Sequence, residues 1–116
     1  MGEIVTLDRF EWSVPTQIYF GWGERARLPQ VAARLGMRHP CVITGEHHAQ
    51  DRHFRACMGE LENAGLAPAV WHGVRPDPSD RMVEEGAAYY RRAGCDGVIG
   101  YGGGSSMDTA KGVSLL

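Results

Sequence analysis

The chain has no apolar run that approaches the roughly 20 residues of a membrane-spanning helix, which argues against an integral membrane protein. Its opening Met1-Gly2-Glu3 is acidic and non-periodic, unlike the basic start and apolar stretch of a secretory signal. It also lacks an excess of either charge. Twelve Lys and Arg against fourteen Asp and Glu leave a formal net charge of −2. With a pI near 6.2 and scattered arginines, nothing predicts attraction to nucleic acid or to an anionic membrane. Cysteine is sparse: Cys41, Cys57 and Cys95 are odd in number and show no CxxC spacing, which argues for reduced thiols and a cytoplasmic setting. Lysine is nearly absent. Lys111 is the single one among the twelve basic residues, and no lysine follows a glycine at P-loop spacing, which argues against a nucleoside triphosphatase of that type.

Glycine, by contrast, is abundant, with sixteen in 116 residues. The most informative run is Val98-Ile99-Gly100-Tyr101-Gly102-Gly103-Gly104-Ser105-Ser106-Met107-Asp108-Thr109-Ala110-Lys111, which passes from β-branched strand residues through a glycine turn into a helical sequence. Consecutive glycines remove every Cβ from such a turn, so an anion can approach the backbone N–H groups at a helix N-terminus closely. Gly100-x-Gly102-x-x-Ser105 is only an imperfect dinucleotide fingerprint, because serine replaces the third glycine and the motif follows the wrong strand. Ser105-x-x-Asp108 also fits a capping box, in which Asp108 satisfies backbone donors and nothing more. Lys111 lies about two helical turns beyond the glycines and is either a solvated helix residue or a cation facing a ligand.

Composition and periodicity predict one α/β domain over residues 1–116. At 43% hydrophobic and 22% charged residues the chain can bury one core but not two. Leu28, Val31, Ala32 and Leu35 recur at helical spacing and stop at Gly36; Phe54, Cys57, Met58 and Leu61 do so before Gly65. A third helix runs through Val83, Ala87, Tyr90 and Ala93 to Gly94, with Asp77 as its expected cap and Pro78 at its first position. Cys41 to Thr44, Ala69 to Val74 and Gly97 to Gly100 are the short apolar runs of buried parallel strands, and the units they form with the helices are right-handed βαβ crossovers. The last helix begins near Ser105 and carries no closing signal before Leu116, so the sheet is expected to be incomplete at the C-terminus, as in the N-terminal part of a larger protein.

The histidines do not form a recognisable metal set. His47, His48 and His53 lie in or beside a predicted helix start, and neither the 47/53 nor the 48/53 pair has the i, i+4 spacing that puts two imidazoles on one helical face. A structural or solvent-exposed role is the plainer reading. His39 and His72 lie in or next to strands without carboxylate partners at a recognisable spacing.

The full pattern Gly102-Gly103-Gly104-Ser105-x-x-Asp108-x-Ala110-Lys111 resembles the iron-containing (group III) alcohol dehydrogenases. Trp12 through Gly23 is similar to that family's opening Pro-Thr-x-Ile-x-Phe-Gly-x-Gly hairpin, and Val74-Arg75-Pro76-Asp77-Pro78-Ser79 is similar to its Pro-Asn-Pro loop, with Asp77 where asparagine is usual. Glu85-Gly86 and Cys95-Asp96 are in register too, so the resemblance covers essentially the whole chain.

The resemblance implies a Rossmann-like parallel sheet with flanking helices, of the dehydroquinate synthase-like N-terminal type, binding NAD or NADP. Cofactor-binding residues implied are Gly45, Asp77, Gly102, Gly103, Gly104, Ser105, Asp108 and Lys111, with Gly103, Gly104 and Ser105 on the pyrophosphate and Asp108 toward the nicotinamide half. The activity implied is hydride transfer between the nicotinamide and an alcohol, aldehyde or ketone, assisted by Fe2+ or Zn2+ as Lewis acid. The family's metal ligands belong to a C-terminal helical domain that these residues do not include, so this chain alone is expected to be inactive, and the complete enzyme to be a homo-oligomer. NAD-preferring members commonly carry an aspartate where this chain has Gly45, which leaves room for a 2′-phosphate with His47, His48 or Arg52 as donors, while Glu46 could restore NAD preference. A non-catalytic nucleotide- or phosphate-binding module, or an interaction fragment pairing through its open sheet edge, is the alternative reading.

Overall fold

A computed structural model describes residues 16–76 and 79–116. A single 3-10 turn, Glu24–Arg27, leads into α1 (Leu28–Arg34), followed by β1 (Pro40–Gly45), α2 (Glu46–Ala49), α3 (Arg52–Asn63), β2 (Ala69–Val74), α4 (Asp80–Ala93), β3 (Gly97–Gly100) and α5 (Gly104–Leu115). The three strands form one parallel sheet in the order β2-β1-β3.

The sheet is covered on both sides, and strand alternation decides which side chain goes where. Along the central strand, Cys41 and Ile43 pack with Val74, Met82, Ala87, Ala110 and Val113, beneath α4 and α5. Val42 points the other way and packs with Phe54, Leu61, Leu66, Ala32 and Ile99, beneath α1 and α3. Register matches these faces: Val42 lies between Val70 and Ile99, and Cys41 sits beside Val98. Because β1 is buried on both faces, Cys41, Val42, Ile43 and Thr44 are all wholly inaccessible, as a continuous apolar run in a parallel sheet requires.

The helix ends follow the sequence punctuation. Gly36, Gly65 and Gly94, just beyond α1, α3 and α4, have φ of 86°, 90° and 70°, the left-handed values that close a helix and that glycine adopts without strain. At the opposite ends, the Asp51 carboxylate accepts from the His53 N–H at 3.3 Å to cap α3. The cap of α4 differs from the expected Asp77: Ser79 takes that position, its hydroxyl accepting from the Met82 N–H at 3.3 Å. The helix starts at Asp80, two residues later than a proline at its first position would place it, and Asp77 and Pro78 lie outside the described residues. Residues 16–20 of the expected opening hairpin carry no strand, and its earlier part also lies outside the described residues.

At the amino ends of the strands Asp96 braces the sheet. Its two carboxylate oxygens accept from the backbone N–H groups of Arg38 and His39 at 2.8 and 2.9 Å, and its own N–H donates to the His39 carbonyl at 3.0 Å. The segments that start β1 and β3 are thereby tied together before the ladder begins.

Candidate functional site

The chain reverses direction across the sheet at β1. It leaves β1 through α2 and α3 on one face to reach β2, then crosses through α4 on the other face to β3 on the far side of β1. Helices that follow β1 and β3 therefore depart to opposite faces and leave a crevice at the carboxyl ends of those strands, the place where open α/β sheets bind ligands. A cleft of about 670 Å³ lies there, walled by Gly45 to His48 and Gln50 from the end of β1 and α2, by Val74 to Pro76 from the end of β2, and by Gly103 to Ser106 from the start of α5.

The three consecutive glycines that lead from the turn after β3 into the first residue of α5 do different jobs. Gly102 has φ of 132°, and a Cβ there would lie 2.8 Å from the Ser106 hydroxyl and 3.1 Å from His48 Cδ2, so backbone conformation and space both require glycine. Gly103 has φ of −87° and ψ of −161°, extended values open to any residue, and a Cβ on Gly103 or Gly104 would meet nothing within 4 Å. Neither glycine is demanded by the folded chain itself; their bareness keeps the cleft wall open. Gly103 is the N-cap of α5, and the first helical bond runs from the Met107 N–H to its carbonyl. The N–H groups of the helix's first residues then have no intrahelical acceptor and carry the positive end of its dipole.

Below the turn, the Tyr101 N–H donates to the Ile43 carbonyl at 3.0 Å and extends the β1–β3 ladder. Its ring meets Phe54 edge-on at 5.0 Å and His48 at 6.0 Å. His48 is thus packed against the underside of the turn while also lining the cleft.

Of the residues singled out by sequence, Gly45, Gly103, Gly104 and Ser105 meet in the cleft wall. Gly102 sits behind it as the turn residue. Asp108 and Lys111 are exposed on α5 outside the lining, and Asp77 is outside the described residues. The capping box is not formed: α5 starts two residues earlier than that pattern needs, no side chain caps it, and the Ser105 hydroxyl instead donates to the Pro76 carbonyl at 3.1 Å. That bond joins the segment after β2 to the glycine turn. Arg75, which sequence reading left inside a loop, lines the cleft; what brings it there is the adjacency of β2 to β1.

Gly45 contacts its neighbour closely. A Cβ there would lie 3.3 Å from the Val74 carbonyl oxygen, at the point where the β1–β2 register slips so that Ile43 pairs with Trp71 but Gly45 with Val74. The thiols are structural in character. Burial, with Cys95 beside it, pushes Cys41 up to about 12, and burial likewise raises Cys57 and Cys95. Among the described residues no three His, Cys, Asp or Glu converge as a metal site would require, and no helix is long and apolar enough to cross a membrane.

Comparison with known proteins agrees with this geometry. Residues 15–116 match the profile described as iron-containing alcohol dehydrogenase. The chain is 35% identical over 101 residues to a 4-hydroxybutyrate dehydrogenase of Cupriavidus necator, covering 87% of this chain and 26% of that protein. It is 41% identical over 95 residues to an NAD-dependent methanol dehydrogenase of Bacillus methanolicus, covering 79% of this chain and 25% of that one. A solved structure of a 1,3-propanediol oxidoreductase superposes with a TM-score of 0.84 at 31% identity, over 90% of this chain and 27% of that one. The chain thus spans about a quarter of the length of the relatives it matches.

Proposed function

The chain belongs to the iron-containing alcohol dehydrogenase family, and from that premise we propose that it supplies the dinucleotide-binding platform of an NAD(P)-dependent oxidoreductase interconverting alcohols with aldehydes or ketones. The observation that carries this reading is the bare pair Gly103 and Gly104. They line the crevice at the strand reversal, at the positive end of α5, and no close contact in the fold requires either to lack a side chain, although glycine also suits Gly103 as the N-cap. A pyrophosphate does require it, because its oxygens must come within hydrogen-bond distance of backbone N–H groups that a side chain would shield.

In this reading the N–H groups of the first turn of α5 hold the pyrophosphate, and Gly45 leaves space for the adenosine ribose at the end of β1. Ser105 keeps the segment after β2 against the turn through Pro76. Asp108, one turn along α5, is assigned to the nicotinamide half, and Lys111, two turns along, to a ligand-facing role; both lie outside the described wall. The nicotinamide, when bound, supplies the hydride acceptor or donor. No three His, Cys, Asp or Glu among the described residues converge to fit a divalent iron or zinc, and in this reading the described residues serve to orient the cofactor. The substrate is a small alcohol or carbonyl compound, and the three unpaired cysteines suit a cytoplasmic protein.

Titration of the 116-residue chain with NAD, NADP and ADP, followed by amide chemical shifts, tests the proposal. Shifts concentrated at Gly103 to Ser106 and Gly45 to His48 are expected; saturating ligand that leaves those amides unmoved overturns it. The same chain supplied with ferrous iron, NAD(P) and a short alcohol is expected not to reduce the cofactor, and metal-dependent turnover would refute the assigned division of labour.

A further inference from the structure

The cleft extends past the glycine turn. With strand order β2-β1-β3, the end of β2 lies two strand spacings, roughly 10 Å, from the end of β3, and the wall of one cleft runs from one to the other across Gly45. At its β2 end stands Arg75, exposed and without an ion-pair partner among the described residues; across from it α2 presents Glu46, His47 and His48. Resting on the dinucleotide reading above, we infer that Arg75 is a specificity-determining residue that recognises a second phosphate, the one esterified to the 2′-hydroxyl of the adenosine ribose.

The geometry favours this over the other cations in three respects. A dinucleotide with its pyrophosphate on the first turn of α5 places its ribose over the end of β1, where Gly45 offers no side chain to collide with it and no carboxylate to repel a phosphate. The next group reached beyond that ribose is at the end of β2. Arg52, at the first position of α3, does not line the cleft, whereas Arg75 does, and its planar fork of donors matches a phosphate in a way that a lone ammonium cannot. The backbone beside it is also held in place: the Ser105 hydroxyl donates to the carbonyl of the adjoining Pro76 at 3.1 Å, which ties the β2 end of the cleft to the turn that takes the pyrophosphate. The backbone segments that carry the two anion sites are thereby linked. Glu46, the one carboxylate among the described lining residues, opposes the second site and limits rather than abolishes the preference.

Calorimetric titration of the full chain with NADP, NAD, adenosine 2′,5′-bisphosphate, adenosine 5′-monophosphate and inorganic phosphate tests the assignment. The parent is expected to bind the bisphosphate more tightly than the monophosphate and NADP more tightly than NAD, with inorganic phosphate much weaker than either. Arg75→Gln is expected to weaken NADP and the bisphosphate by roughly 10- to 100-fold and to leave NAD and the monophosphate unchanged, the loss expected of one charge-assisted phosphate contact. Arg75→Lys recovers only part of that loss, and Glu46→Gln raises the NADP-to-NAD ratio. Arg75 is exposed, so thermal melting of each variant should match the parent. If Arg75→Gln weakens NAD and NADP equally, or neither, the inference fails while the dinucleotide reading stands. If the parent binds no dinucleotide, both fail.

Discussion

Replacing Gly103 by valine separates the ligand-binding role of the glycine turn from its structural role. At φ of −87° and ψ of −161° the backbone has an extended conformation open to valine, and the new Cβ meets no atom within 4 Å. The expected penalty to the fold is confined to the helix cap, where an apolar β-branched residue is a poorer N-cap than glycine by about 1 kcal/mol, small against a domain stability on the order of 5–15 kcal/mol. For the ligand the change is larger. The isopropyl group would stand in the approach to the N–H groups at the start of α5, and loss of one or two hydrogen bonds from those donors to a charged phosphate is worth about 1.5–3 kcal/mol each. Dinucleotide affinity should therefore fall at least tenfold, at about 1.4 kcal/mol per decade. Gly102→Ala supplies the contrast, because its Cβ would meet the Ser106 hydroxyl at 2.8 Å in a left-handed backbone, so it should lower the melting temperature before it alters any contact with ligand. Calorimetric titration with NADP and NAD, paired with thermal denaturation, reads both effects. A folded Gly103→Val chain with parental affinity would refute the placement of the pyrophosphate.

Three further outcomes follow from the same geometry. Desolvation works against ionisation of Asp96, which is exposed, but the N–H bonds from Arg38 and His39 outweigh it and hold the carboxyl below its ordinary value; its stabilisation, small because solvent screens an exposed group, is present above the unfolded carboxylate range, about 3.9, and is lost as pH falls through the folded value. Asp96→Asn should thus show a shallower loss of urea resistance between neutral and acid pH, and identical acid slopes would contradict the bracing role. Cys41, raised by burial and by Cys95 to about 12, stays protonated in the folded chain while the unfolded thiol ionises near 9, so stability should decline as pH rises between those values. Cys41→Ala should flatten that decline, and Cys41 should resist alkylation until the chain unfolds; rapid labelling of the native protein would count against it. Gly45→Asp should shift preference from NADP toward NAD after a small displacement from the Val74 carbonyl 3.3 Å from its Cβ, and an unchanged ratio would show that Gly45 does not set the choice.

What the sequence disclosed, and what it withheld, divides along the range of the interactions involved. The runs Ala69 to Val74 and Gly97 to Gly100 coincide with β2 and β3 because short, mostly apolar and β-branched segments bounded by turn residues are a local signal, although both strands are only partly buried and His72 in β2 is exposed. Gly36, Gly65 and Gly94 mark helix ends for an equally local reason, the left-handed turn that each takes. Ser105 and Arg75 are different. The local pattern from Ser105 to Asp108 spells a capping box, yet the hydroxyl is drawn to the Pro76 carbonyl, 29 residues earlier in the chain, because α5 and the end of β2 border the same crevice. Arg75 joins the cleft only because β2 pairs with β1 instead of adding beyond β3, and nothing within six residues of it encodes that choice of edge. Even the glycine turn, legible as a unit, hides two different situations. Gly102 is glycine for its own chain, whereas the fold leaves open space at the Cβ positions of Gly103 and Gly104, and only the surroundings of each position tell them apart.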